Sequence, residues 1–357
     1  MPDRTPARPS GPSLVGRRTV LLGAAAVGLA GCTAAATPAD PTPPPASTGI
    51  PSPSSSTSTT TTAAPNPTTT TPAPLPAGRV FPIAPNEPEP VAKERAVRLV
   101  EATSSWGPGG SDPAQVAARL TAQGISGARA AAFAAVTAPF RGASTSPSSE
   151  ATSGVIAVQY GGLTATTASL LVTFEQWTRD AAGAVVRGGA GADVRLTKEQ
   201  GQWQVTEVFT ATPLPPVQPV PALVQQVLSN QRIRLPPAAA ADIAAGNLRP
   251  KPMQALLALA RDYDIDVSIV FKPHPDNVFA TDRLSDHTRR RAWDIWAVNG
   301  QAVIAESTPD ALIDGFLRAA KDVGAYNLGG PRLLSGAGYF SDRTHRDHCH
   351  IAFNSDT

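Results

Sequence analysis

Ala292-Trp293-Asp294-Ile295-Trp296-Ala297-Val298-Asn299-Gly300-Gln301-Ala302-Val303-Ile304-Ala305 is the stretch that decides how the C-terminal part of this 357-residue chain folds. Seven residues rich in aromatic and β-branched side chains run into Asn-Gly, the pair that suits a two-residue type I′ turn. Ala302 to Ala305 then reads as the returning strand. Side chains alternate along a strand, so Trp293, Ile295 and Ala297 face one way, and Asp294 shares the other face with Ala292, Trp296 and Val298. A carboxylate in such a strand is costly to bury unless it is paired or coordinates a cation. Trp293 and Trp296, lying within the strand, read as core.

Working outward, Thr308-Pro309-Asp310 opens a helix lasting to Val323, with Pro at its first position, and His350 to Phe353 forms a last strand. On the other side, helices are predicted over Pro221 to Ser229, Pro236 to Gly246 and Pro252 to Asp262, followed by a strand over Ile265 to Phe271. Thr212 to Pro221 is a Pro-rich linker. Before it, Val91 to Glu101, Asp112 to Gln123 and Ala128 to Val136 read as helices. Gly154 to Tyr160, Ala168 to Trp177, Ala192 to Thr197 and Trp203 to Phe209 read as strands. The expected fold class is therefore α+β twice over: an accessory domain at 91–213 and a second domain at 214–357 built on an antiparallel sheet. The accessory domain has no histidine or cysteine and no apparent catalytic constellation.

Residues 32–90 are dominated by Pro, Thr, Ser and Ala and bury too little apolar area to offset their ordering entropy, so they read as a disordered stalk. As a coil such a stalk spans roughly 40 Å, and fully extended about 180 Å. Ahead of it, Arg4, Arg8, Arg17 and Arg18 precede an apolar stretch from Val20 to Ala30, too short for the ~20 residues that span a bilayer but suited to a secretory signal at 1–31. Leu29-Ala30-Gly31-Cys32 resembles the bacterial lipobox. That resemblance implies a lipid on Cys32 and a mature chain anchored at the outer face of the cytoplasmic membrane. Arg17-Arg18 leaves the general and twin-arginine export routes both open. The formal net charge is +2 with the two signs interspersed, and no basic tract points to nucleic acid. Cys349 is the other cysteine, so with Cys32 lipidated the fold must rest on packing or on a metal, not on an internal disulfide.

All five histidines, His274, His287, His345, His348 and His350, lie beyond residue 273. That clustering suggests a metal site or acid–base chemistry. His348 and His350 are two apart, so on a strand they share a face, and Cys349 turns to the other. His274, between two prolines, reads as a loop histidine.

The spacing Ser285-x-His287-x-x-x-x-Ala292-x-Asp294, followed by Asp347-His348-x-His350, resembles the zinc peptidases that cut peptidoglycan stems. These are the D-Ala-D-Ala carboxypeptidases and L-Ala-D-Glu endopeptidases, which share a fold with the Hedgehog signalling domain. The resemblance implies one Zn²⁺ held by His287, Asp294 and His350, with Asp347 as acid or base and His348 placed to hydrogen-bond a tetrahedral intermediate. Three protein ligands leave a fourth position for water, the pattern of a catalytic zinc site. Two departures stand out. Arg290 occupies a position where the family has Gly, and Phe271-Lys272-Pro273-His274-Pro275 lacks the family's substrate-binding Arg, a charge that Arg283 could supply. The implied partners are peptidoglycan or another peptide substrate and, through the lipid, the membrane. The alternative is a non-catalytic, zinc-stabilised lipoprotein that binds the cell wall or another ligand.

Overall fold

The computed structural model describes residues 74–142 and 149–354. The expected leader, the expected lipidation site Cys32 and the expected stalk as far as residue 73 lie outside these residues. Helices come first, as the periodicity predicts: α1 (Pro90–Ser104), α2 (Pro113–Ala122) and α3 (Gly127–Val136). Pro90 and Pro113 occupy first-turn positions, where a missing N–H costs nothing. Asp112 caps α2 by accepting from the Ala114 N–H at 2.8 Å. One face of α1, with Ala92, Ala96, Leu99 and Val100, packs on an antiparallel meander of β1 (Glu150–Leu163), β2 (Thr167–Arg179), β3 (Val185–Glu199) and β4 (Gln202–Ala211).

The C-terminal half contains α4 (Ala222–Ser229), β5 (Ile233–Arg234), α5 (Pro237–Ala244), α6 (Pro250–Leu259), β6 (Ile265–Ile269) and β7 (Ala292–Val298). It continues through β8 (Gln301–Ala302), α7 (Asp310–Asp322), β9 (Asn327–Gly329), β10 (Tyr339–Phe340) and β11 (Cys349–Ala352). Asn299 and Gly300 have φ of 52° and 73°, both positive as a type I′ turn demands. The returning strand is shorter than expected. It stops at Ala302, whose carbonyl accepts from Thr308 Oγ1 and the Ala305 N–H and so closes a turn.

Among the described residues the strands of this half form one sheet in the order β10-β9-β11-β7-β6-β5, with β8 on β7. Its centre is antiparallel as expected, but the outer pairs β5/β6 and β10/β9 are parallel. For β5/β6 the reason is the connection, since α5 and α6 intervene and carry the chain back to the starting end of the sheet.

One face of this sheet, with Trp293, Ile295, Cys349 and Ile351, belongs to a hydrophobic cluster shared with the flanking helices. The other face carries Ser268, Asp294 and His350, and β1 meets it. β1 is the edge strand of the meander, and its outward N–H groups find acceptors in the C-terminal half. Tyr160 donates to Asp347 Oδ2 at 3.1 Å and Leu163 to Thr344 Oγ1 at 3.2 Å. The seam between the two halves is thus polar and hydrogen-bonded. The chain also joins the fold before Pro90, where the stalk was expected to end. Phe81 packs edge-on against Trp296 with ring centroids 6.3 Å apart, and Asn86 Nδ2 donates to the Ile304 carbonyl at 2.7 Å. Glu87 is buried. Among the described residues no helix is long and apolar enough to cross a membrane.

Candidate metal centre

Sheet register delivers two of the expected ligands, because Asp294 and His350 are direct cross-strand partners in the β7/β11 pair. His287 arrives from the tight loop just before β7, closed by hydrogen bonds from the Arg290 N–H to the His287 carbonyl and from the Arg291 N–H to the Asp286 carbonyl. Arg290 has φ of 60°. This is the left-handed region that favours Gly, so the departure noted at this position leaves the turn in place at a backbone cost of roughly 1–2 kcal/mol. Arg290→Gly is expected to raise stability by about 1 kcal/mol, read as a higher urea midpoint with an unchanged m-value.

His287 Nε2, Asp294 Oδ1 and His350 Nδ1 form a triangle with sides of 3.1, 3.2 and 2.9 Å. Bonds of about 2.0–2.1 Å at a tetrahedral angle place ligand atoms about 3.3 Å apart, so the triangle suits the base of a tetrahedral site with a fourth position open. These three buried residues could hold a metal ion. The tautomer of His287 agrees. Its Nδ1 lies 2.7 Å from the Val270 carbonyl, which only accepts, so Nδ1 carries a proton and Nε2 is the nitrogen that faces the centre, able to ligate once its own proton is lost.

Electrostatics follow from this crowding. Burial opposes charge on Asp294, but the His287 and His350 imidazoles beside it outweigh that and hold its carboxyl well below the usual range. Burial likewise opposes charge on His287, and the Asp294 carboxylate reverses the sign, leaving its pKa above the ordinary value. A metal must displace the proton that His287 holds there. Zn²⁺ titration is therefore expected to release protons, with apparent affinity falling as pH drops through and below the His287 pKa. Uptake independent of pH between 5 and 8 would argue against His287 as a ligand.

Residues of the N-terminal half reach the centre and the neighbouring Asp347, which the sequence did not indicate. Gln159 on β1 donates from Nε2 to Asp294 Oδ2 at 2.6 Å and accepts from Ser268 Oγ. Lys93 on α1 lies 2.5 Å from both Glu87 Oε1 and Asp347 Oδ2. Asp347 Oδ1 accepts from His348 Nδ1 at 2.6 Å. Both Asp347 oxygens thus have partners, and although burial raises its pKa, Lys93 and His348 lower it further. Lys93 was in principle legible, as a cation on the Ala92, Ala96, Leu99 and Val100 stripe of an amphipathic helix. Gln159, one polar residue in a strand, carried no signal.

A cavity of about 290 Å³ borders the centre, its walls including His350, His274, His345, Arg283, Phe279 and Tyr160. His274 is more than a loop histidine here, because its ring stacks on His287 with centroids 4.2 Å apart and planes 14° apart. His345 Nδ1 is committed to Asp342 Oδ1 at 2.8 Å. Arg283 is exposed at the wall and has no ion pair among the described residues. Phe279 closes one side by seating its ring on Gly162, where a Cβ would lie 2.1 Å from it. Cys349 is a buried free cysteine on the helix side of the sheet, away from the three ligands, as its strand position predicted. Comparisons with protein-family models, with curated proteins and with solved structures find no match to this chain.

Proposed function

We propose that this protein is a zinc-dependent peptidase or carboxypeptidase acting on peptidoglycan stem peptides, tethered outside the cytoplasmic membrane by a lipid on Cys32. The observation that carries the reading is the ligand triangle of His287, Asp294 and His350 beside a cavity. A Zn²⁺ held there would polarise a scissile carbonyl and bring the pKa of a water to about 7.

The chain's own groups supply the rest. Asp347, kept ionised by Lys93, fixes the Nδ1–H tautomer of His348, and this pair takes up and returns the proton. Arg283 offers the cavity a guanidinium with no ion pair of its own, suited to a substrate carboxylate. The stalk and lipid deliver this site to the layer where stem peptides lie.

The test is hydrolysis of a panel of muropeptides by the purified protein loaded with Zn²⁺. Turnover is expected for the wild type, and a loss of at least ~10²-fold for His348→Gln. Arg283→Ala is expected to raise KM about tenfold with kcat little changed. No turnover above a His287→Ala control on any stem peptide would remove the proposal. One observation favours a second reading. Both oxygens of Asp347 are already engaged, which suits a binding module whose zinc only stabilises the fold. That reading predicts a lower Tm on chelation and ligand retention without cleavage.

A further inference from the structure

We infer that the metal centre is composite: Gln159, from the N-terminal meander, is the positioning residue that sets the Asp294 carboxylate for metal binding. The inference rests on His287, Asp294 and His350 being the ligands, and it adds a residue from outside the motifs that suggested them.

The argument is one of hydrogen-bond supply. Asp294 is 1% exposed, so no bulk water reaches its carboxylate. Oδ1 is the atom facing His287 and His350. Oδ2 points the other way, and its neighbour there is Gln159 Nε2 at 2.6 Å. Gln159 is itself 1% exposed, and its remaining amide atom, Oε1, is used by Ser268 Oγ. Asp294 lies on β7, Ser268 on β6 and Gln159 on β1, so three strands from both halves close this network.

The network also fixes its own polarity. An ionised carboxylate only accepts, so the Gln159 amide must present Nε2 to Asp294, and Ser268 must donate to the opposite end. A carboxylate so held cannot rotate to offer both oxygens to a cation. Asp294 is thus made a monodentate ligand, as three-ligand tetrahedral geometry requires. Outer partners of this kind typically matter 10–100-fold in metal affinity.

The test is competitive Zn²⁺ titration against a chromophoric chelator, with circular dichroism and the Tm of the metal-free and metal-loaded forms. Gln159→Met keeps the length and volume of the side chain and removes both polar atoms. It is expected to weaken Zn²⁺ binding 10–100-fold and to shrink the Tm difference between loaded and metal-free protein. Ser268→Ala frees the amide to turn over and should give a smaller loss in the same direction. Wild-type affinity in a folded Gln159→Met protein would overturn the inference while leaving the metal centre standing. A wild type that binds no Zn²⁺ would overturn both. Should Gln159→Met fail to fold, Ser268→Ala decides alone, and unchanged affinity there would count against the network.

Discussion

Replacing Lys93 with Met is expected to destabilise the protein by about 3–5 kcal/mol, the range found when one partner of a buried ion pair is removed. Its ammonium bridges Glu87 and Asp347, and the three side chains are 1%, 2% and 1% exposed. Burial already pushes the Glu87 carboxyl up, and Lys93 opposes this; Asp347 is held down by Lys93 and His348. Without the cation two buried carboxylates face each other, and one must take up a proton or the seam must open. Urea unfolding at pH 7 measures the loss. Adding Glu87→Gln in the same chain should recover part of it, since one charge then disappears with its partner. A single-variant loss under 1 kcal/mol would show that this triad contributes little to joining the two halves.

The second large effect is expected from Asp294→Asn, and it separates stability from function. His287 Nε2, His350 Nδ1 and Asp294 Oδ1 lie within 3.2 Å of one another, so without a metal at least one ring must hold a proton there to partner the carboxylate. Asn at 294 would direct an N–H₂ group at the two rings and keep an oxygen for Gln159, so every polar atom finds a partner. The metal-free variant should therefore be as stable as the metal-free wild type, or more so. It should also lose Zn²⁺ binding and, if the protein is a peptidase, at least ~10³-fold in turnover. In the wild type, Zn²⁺ at 100 times its Kd should add about 2.7 kcal/mol, and this increment should vanish in Asp294→Asn. Equal stabilisation of both proteins by Zn²⁺ would place the metal elsewhere.

Much of the fold was legible because its signals are local. Asp112-Pro113, Asn299-Gly300 and Pro309-Asp310 each mark an element boundary through one residue's conformational preference. The structure keeps all three boundaries, although Pro309, extended at ψ 132°, precedes α7 and is not its first residue. The short outer strands β5, β9 and β10 were not legible, because two or three residues carry no periodicity. The three candidate ligands were legible because imidazole and an embedded carboxylate are expensive to place without a purpose. What surrounds them was not. Gln159, Lys93 and Tyr160 act through contacts with residues far along the chain, and no spacing within a single segment encodes such a meeting. Reading 91–213 as free of site chemistry was reasonable from its composition, yet its Gln159 and Lys93 touch Asp294 and Asp347.

The pairing of Gln159 with Asp294 spans 135 positions of sequence, and that of the Tyr160 amide with Asp347 spans 187. Closing loops of that length costs chain entropy before any contact repays it. The centre is therefore expected to be completed late in folding: a chain that has organised only its C-terminal sheet would have the three candidate ligands and no grip on the carboxylate. If the centre takes a metal, its tight capture would report that the two halves of the described chain have joined, and metal retention would be a check on completed folding.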